Sequence, residues 1–369
     1  MLGRIALVAV LVVAAGEVGL RLAGAGAPPG GPAWERLRRL GPDGGVEIVP
    51  GGRAAWALAP GQPVVRYELN GLGLRETREL PARAPAGTCR ILALGDAYTF
   101  GYGVTARDAY PRRLEHALER TGRFEVLNAG FPNLNVEQER RRLDALLPRL
   151  RPDLILLSFD WWNVPTDDDG VPPRPRKWSV RWIVANVGEK ASWLAARSAL
   201  ADAAWPVVQH ALSPAIFPPS GLARELEPLT LPASALAARW DRTTDALRGM
   251  AHDAATAGAR FAIVLTPLDL QLDRARNALY RRGRLPYPSH GFADVDYVSA
   301  RAMPDALRTF ARTTGIPLVD VTPAFAARGG LRLFLSGDYH VAPAGHRVIA
   351  REVARWIRRA HACGGAART

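Results

Sequence analysis

The chain has 369 residues, of which 48% are hydrophobic and 22% charged, with 35 Gly and 30 Pro spread along its length. This is the composition of a globular protein large enough to bury a core without a disulfide or metal, and it excludes collagen-like, coiled-coil and wholly disordered chains. The formal charge is +13, yet Lys177 and Lys190 are the only lysines among the 48 basic residues. The arginines are scattered among acidic residues, and neither zinc-finger spacing nor an RNA-binding aromatic motif accompanies them. They read as solvated surface rather than a nucleic-acid footprint, with an anionic partner such as lipid headgroups or an acidic glycan left open.

In chain order, residues 1–26 come first, with Arg4 ahead of an apolar run over 5–16 and Glu17 and Arg21 inside a further apolar stretch. The short run and the small residues Ala23-Gly24-Ala25 suit a cleaved signal peptide, whereas the extension to Leu22 suits an uncleaved membrane anchor. Both place the body of the protein outside the cytoplasm of a bacterium, on the periplasmic side. Residues 27–65, rich in Gly and Pro, read as a juxtamembrane linker with some local structure.

From residue 90 the pattern changes. Strands are expected at 90–94, 124–127, 154–159, 261–265 and 317–319, with helices at 107–120, 136–150, 232–257, 301–313 and 344–359. Alternating strands and helices predict a parallel sheet covered on both faces over residues 66–360, followed by a polar tail at 361–369. Ligands of such folds sit beyond the carboxyl ends of the strands, so the loops after Leu94, Leu127 and Phe159 are where chemistry is expected. Six tryptophans (Trp161, Trp162, Trp178, Trp182, Trp193 and Trp205) and both lysines fall in a segment of about 161–230, which reads as an insertion over the site. Its rings suit packing onto the sheet, stacking on sugars or a bilayer interface. Asp167, Asp168 and Asp169 read as a solvated loop rather than a metal site. Cys89 and Cys363 lie far apart and read as unpaired, with pairing left open.

The loop after the first sheet strand is Gly95-Asp96-Ala97-Tyr98-Thr99-Phe100-Gly101. Asn128-Ala129-Gly130-Phe131-Pro132 follows the second, Arg151-Pro152-Asp153 leads into the third, and Asp338-Tyr339-His340-Val341-Ala342-Pro343-Ala344-Gly345-His346 precedes the last helix. With the upstream Asn70-Gly71-Leu72-Gly73-Leu74-Arg75, these blocks resemble the SGNH, or GDSL, hydrolase family in its membrane-anchored bacterial form, over about residues 70–360. The resemblance implies a three-layer α/β/α, flavodoxin-like fold, ester or acyl-ester chemistry on lipids or glycans, and no metal or organic cofactor.

The family's nucleophile is a Ser activated by a His that an Asp orients, and its oxyanion is met by pre-aimed donors. Asp338 and His340 stand where the resemblance places the Asp and the base, and Ala97 stands at the nucleophile position. Asn133 occupies a position usually held by Gly, and Trp162 one usually held by Asn, with Asn163 one step further; Ala97, Asn133, Trp162 and Asn163 are thus the oxyanion-hole positions. Alanine closes the acyl-enzyme route, by natural loss or by an engineered exchange. One engineered exchange would not also change Asn133 and Trp162, which favours natural loss. Asp96 is expected to fix the turn, Thr99 to point away from the site and His346 to be structural.

The expected function is therefore an esterase-like envelope protein with impaired catalysis, binding an acylated glycan or lipid and no nucleic acid. The alternative is an active ester hydrolase or O-acetyl transferase, with an engineered Ala97 or with water activated by His340.

Overall fold

The structure is a computed structural model that describes residue 16 and residues 36–40, 46–56, 63–78, 80–165, 226–231, 233–276, 296–336 and 338–363. All of the expected anchor but residue 16, the acidic triplet, and residues 166–225 of the tryptophan-rich insertion lie outside these residues. Among the described residues no helix is long and apolar enough to cross a membrane.

The core is a five-stranded parallel sheet in the order β6-β5-β7-β8-β9, where β5 is Thr88–Leu94, β6 Arg123–Asn128, β7 Leu154–Phe159, β8 Arg260–Leu265 and β9 Leu318–Asp320. Every residue of β7 is buried. Successive side chains point to opposite faces, so both faces of the sheet are covered, as the unbroken Leu-Ile-Leu-Leu run predicts.

The helices are α1 (Ala97–Phe100), α2 (Tyr110–Leu118), α3 (Val136–Leu150), α4 (Glu227–Thr230), α5 (Ala233–Thr256), α6 (Ala302–Thr314), α7 (Thr322–Ala327) and α8 (Pro343–Arg359). Helix α8 packs on α2, and α3 packs on α5. Asn135 caps α3 by accepting from the N–H groups of Glu137 and Gln138, while the Gln138 side chain accepts from Asn135 N–H. That reciprocal box fixes the helix start where the sequence places it. The expected helix at 107–120 begins later, at Tyr110, with Pro111 in its first turn.

Two expectations change. The Gly/Pro-rich stretch carries two antiparallel hairpins, β1–β2 (Arg38–Leu40 with Val46–Ile48) and β3–β4 (Arg53–Trp56 with Val65–Glu68). Leu37, Trp56, Val65, Tyr67 and Leu69 from this region form a second buried cluster with Phe100, Phe131 and Leu134. Cys89 and Cys363, read as unpaired, form a disulfide across 274 residues of chain. Strand β5 and the end of α8 bring them together, a juxtaposition of long sequence separation that neither local sequence carries.

Candidate active site

At the end of β5 the chain must turn sharply into α1. Gly95 adopts φ +144°, and a Cβ there would lie 2.2 Å from Thr99 Oγ1, so only glycine fits. Asp96 then caps α1, its carboxylate accepting from Tyr98 N–H at 2.8 Å. Ala97 opens the helix, and its carbonyl accepts from Gly101 and Tyr102 N–H. Thr99 is buried, and its hydroxyl donates to Leu94 O at 3.1 Å. Its hydroxyl is thus turned back onto the strand, as the sharp turn predicts.

The loop before α8 presents Asp338 and His340, both buried. Asp338 Oδ1 lies 2.6 Å from His340 Nδ1 and also accepts His340 N–H at 2.7 Å. A carboxylate can only accept, so Nδ1 carries the proton. His340 Nε2 has no hydrogen-bond partner among the described residues. The carbonyl of Asp338 accepts from Arg276 Nη2 at 3.0 Å, and Arg276 Nε donates to the buried Asp269 at 2.6 Å, which ties this loop to the segment after β8. His346 accepts Tyr110 N–H through Nδ1 at 3.2 Å. Burial, helped by the Arg75 cation, pushes its pKa down to about 3. It is a neutral brace between α8 and α2, as expected.

The oxyanion-hole positions divide. Asn133 adopts φ +66°, the left-handed conformation that glycine would take, and Asn is among the few other residues that tolerate it. Trp162 is half-buried against the main core, and its N–H donates to Asp160 Oδ1 at 2.7 Å. Asn163 is fully buried. Its Oδ1 accepts from Asp160 N–H and its Nδ2 donates to Glu139 Oε2, both at 2.7 Å. Both ends of that amide are engaged inside the protein, because the turn after β7 uses it as a cap.

Sequence reasoning missed the carboxyl cluster beneath this turn. Asp96, Asp160 and Glu139 are all buried. Desolvation raises all three pKa values, those of Asp160 and Glu139 strongly, and the mutual repulsion of the acids pushes Asp160 and Glu139 further up. Glu139 was legible in one respect: it stands in the series Val136, Glu139, Leu143, Leu146, Leu150 on the buried stripe of α3, where an acid is out of place. Asp160 carried no such signal.

Raised folded-state pKa values mean that the native protein holds more protons than the unfolded chain above the ordinary carboxylate range. These groups leave the fold most stable in acid, and stability falls as pH rises from about 4 through the raised values. Glu139→Gln keeps an oxygen to accept from Asn163 and removes one such group. The variant should gain on the order of 1 kcal/mol at pH 8, and its stability should fall less steeply with pH in denaturant titrations. An unchanged slope would refute the assignment.

Residues 93–348 match the GDSL-like lipase/acylhydrolase family. No curated protein matches the sequence. Among solved structures, the lipase/acylhydrolase from Enterococcus faecalis is similar at 13% identity and a TM-score of 0.41, covering 74% of this chain and 96% of its own. The psychrotrophic esterase EstA from Pseudoalteromonas sp. is similar at 13% identity and 0.40, covering 74% and 98%. A member of the lipolytic protein G-D-S-L family from Veillonella parvula DSM 2008 gives 13% and 0.40, covering 73% and 99%. With the family match spanning more than half of its length and the parallel sheet ending in the turns just described, the chain belongs to the GDSL-like lipase/acylhydrolase family.

Proposed function

We propose that this protein is a catalytically impaired member of its family that acts at the bacterial cell envelope and binds an acylated glycan or lipid. The observation that carries the reading is Ala97. It is the first residue of α1, immediately after the Gly95-Asp96 turn, where the family's nucleophilic Ser belongs, and a methyl group can form no acyl intermediate. The engagement of Asn163 with Asp160 and Glu139 adds to it, since one donor to a developing oxyanion is then missing. The Cys89–Cys363 disulfide supports a location outside the reducing cytoplasm, with residues 1–26 as signal peptide or anchor.

A second reading is favoured by one specific feature. Asp338 and His340 keep the geometry of a base pair, with no partner on Nε2 among the described residues, so water activated by His340 could attack an ester directly. The two readings separate in one assay. The native chain, tested with short-chain acyl esters beside His340→Ala, should release no more acid than that variant. A native rate tenfold above His340→Ala would establish the water route and overturn the impaired reading.

A further inference from the structure

The hairpin β3–β4 precedes the residues that match the family, yet a chain of aromatic contacts runs from it to His340. Trp56 stacks on Tyr67 with ring centroids 4.1 Å apart, Tyr67 stacks on Phe100 at 5.4 Å, and Trp56 meets Tyr102 at 5.9 Å. The Tyr102 ring lies 4.4 Å from the His340 imidazole, and Tyr339 stacks on the same imidazole at 4.4 Å.

The loop that carries Tyr102 is fastened to the same hairpin. Arg75 donates to the carbonyls of Phe100 and Gly101 at 2.6 Å and of Val104 at 2.7 Å. Its guanidinium lies over both the Tyr67 and Phe100 rings, and Tyr67 Oη accepts Gly103 N–H at 2.9 Å. This explains the Asn70-to-Arg75 motif. Asn70 Oδ1 accepts from Leu72 and Leu74 N–H, shaping the turn that delivers Arg75 beneath the loop.

One hydrogen bond from Asp338 sets the distance of the imidazole but not its plane, because the torsion between an sp³ carbon and an aromatic ring is broad. A flat ring packed against the imidazole removes that freedom. We propose that the β3–β4 hairpin is a working part of the site, with Trp56 and Tyr102 as positioning residues that hold the His340 ring in the one plane in which its Nδ1–H meets Asp338, Nε2 outward. The proposal rests on Asp338 and His340 being the base pair of the site.

The test uses the full chain with ¹⁵N-labelled histidine. In the native protein His340 should show one tautomer, protonated at Nδ1. Trp56→Ala and Tyr102→Ala should give exchange-averaged ring nitrogens, while Trp56→Phe and Tyr102→Phe, which keep a ring in place, should retain the native signals. In an Ala97→Ser background the two Ala variants should lower kcat about tenfold with KM within twofold, and the Phe variants should not.

Because Trp56 is buried, Trp56→Ala could fail to fold. Tyr102→Leu then decides, since it fills space without a flat face. Unchanged His340 signals in folded Tyr102→Ala and Tyr102→Leu would overturn the proposal. Absence of any Ala97→Ser hydrolysis would instead defeat the reading of Asp338 and His340 as a working base pair, and the tautomer measurement in the native sequence would still decide the role of the hairpin.

Discussion

Gly130→Ala should destabilise the protein by about 3 kcal/mol, the upper range for forcing an added methyl into a packed site. A Cβ at Gly130 would lie 2.4 Å from Phe100 N and 2.6 Å from Thr99 Cβ. Neither can retreat. Phe100 N–H bonds Asp96 O within α1, its ring is buried in the second core cluster, and Thr99 is held to Leu94 O. Gly130 is itself held from the other side, its N–H donating to Asn128 Oδ1 at 3.1 Å. The clash therefore pushes apart the two turns that build the site. Gly315→Ala is the control. Gly315 has φ +73° and nothing within 4 Å of the added carbon, so only backbone strain remains, about 1 kcal/mol. Thermal or urea unfolding of both variants checks the ordering; equal losses would show that the turns are not in close contact.

Cys89→Ser should cost about 2–4 kcal/mol, and a comparable loss should follow reduction of the native protein with dithiothreitol. The disulfide closes a loop of 274 residues, nearly the whole α/β domain. In the chain-entropy account such long loops gain most from cross-linking. It also pins the segment after α8 to the start of β5, at the end of the strand away from the turn that carries Ala97. The expected melting shift is about 5–10 °C, with the reductant having no further effect on Cys89→Ser. A melting temperature indifferent to both would mean that the bridge is absent in solution.

What was legible in the sequence, and what was not, follows from the range of the interactions. Strand β7 and helix α3 fall at 154–159 and 136–150 as expected, because an unbroken apolar run and a capping box are written into neighbouring residues. The turn at Gly95 and the pairing of Asp338 with His340 were equally local. The hairpins were not. Strand β3 reads Arg-Ala-Ala-Trp and β4 Val-Arg-Tyr-Glu, each too short to show a period, and both pack into a cluster completed by Phe100, Phe131 and Leu134 far along the chain. The same holds for the disulfide. Asn163 shows the limit at the site itself: its place in the motif suggested an oxyanion donor, but the partners that engage its amide come from α3 and the turn after β7.

The central claim is that the site is assembled and lacks its nucleophile. The most direct test is acyl-ester hydrolysis by Ala97→Ser beside the native chain and Ala97→Ser/His340→Ala. Members of a catalytic triad act as a unit, so supplying the missing hydroxyl should raise kcat/KM at least tenfold, and removing His340 should abolish the gain. The missing oxyanion donor should hold the rescued rate about 10²–10³-fold below that of a complete site. No gain from Ala97→Ser, or a gain that survives loss of His340, would contradict the account.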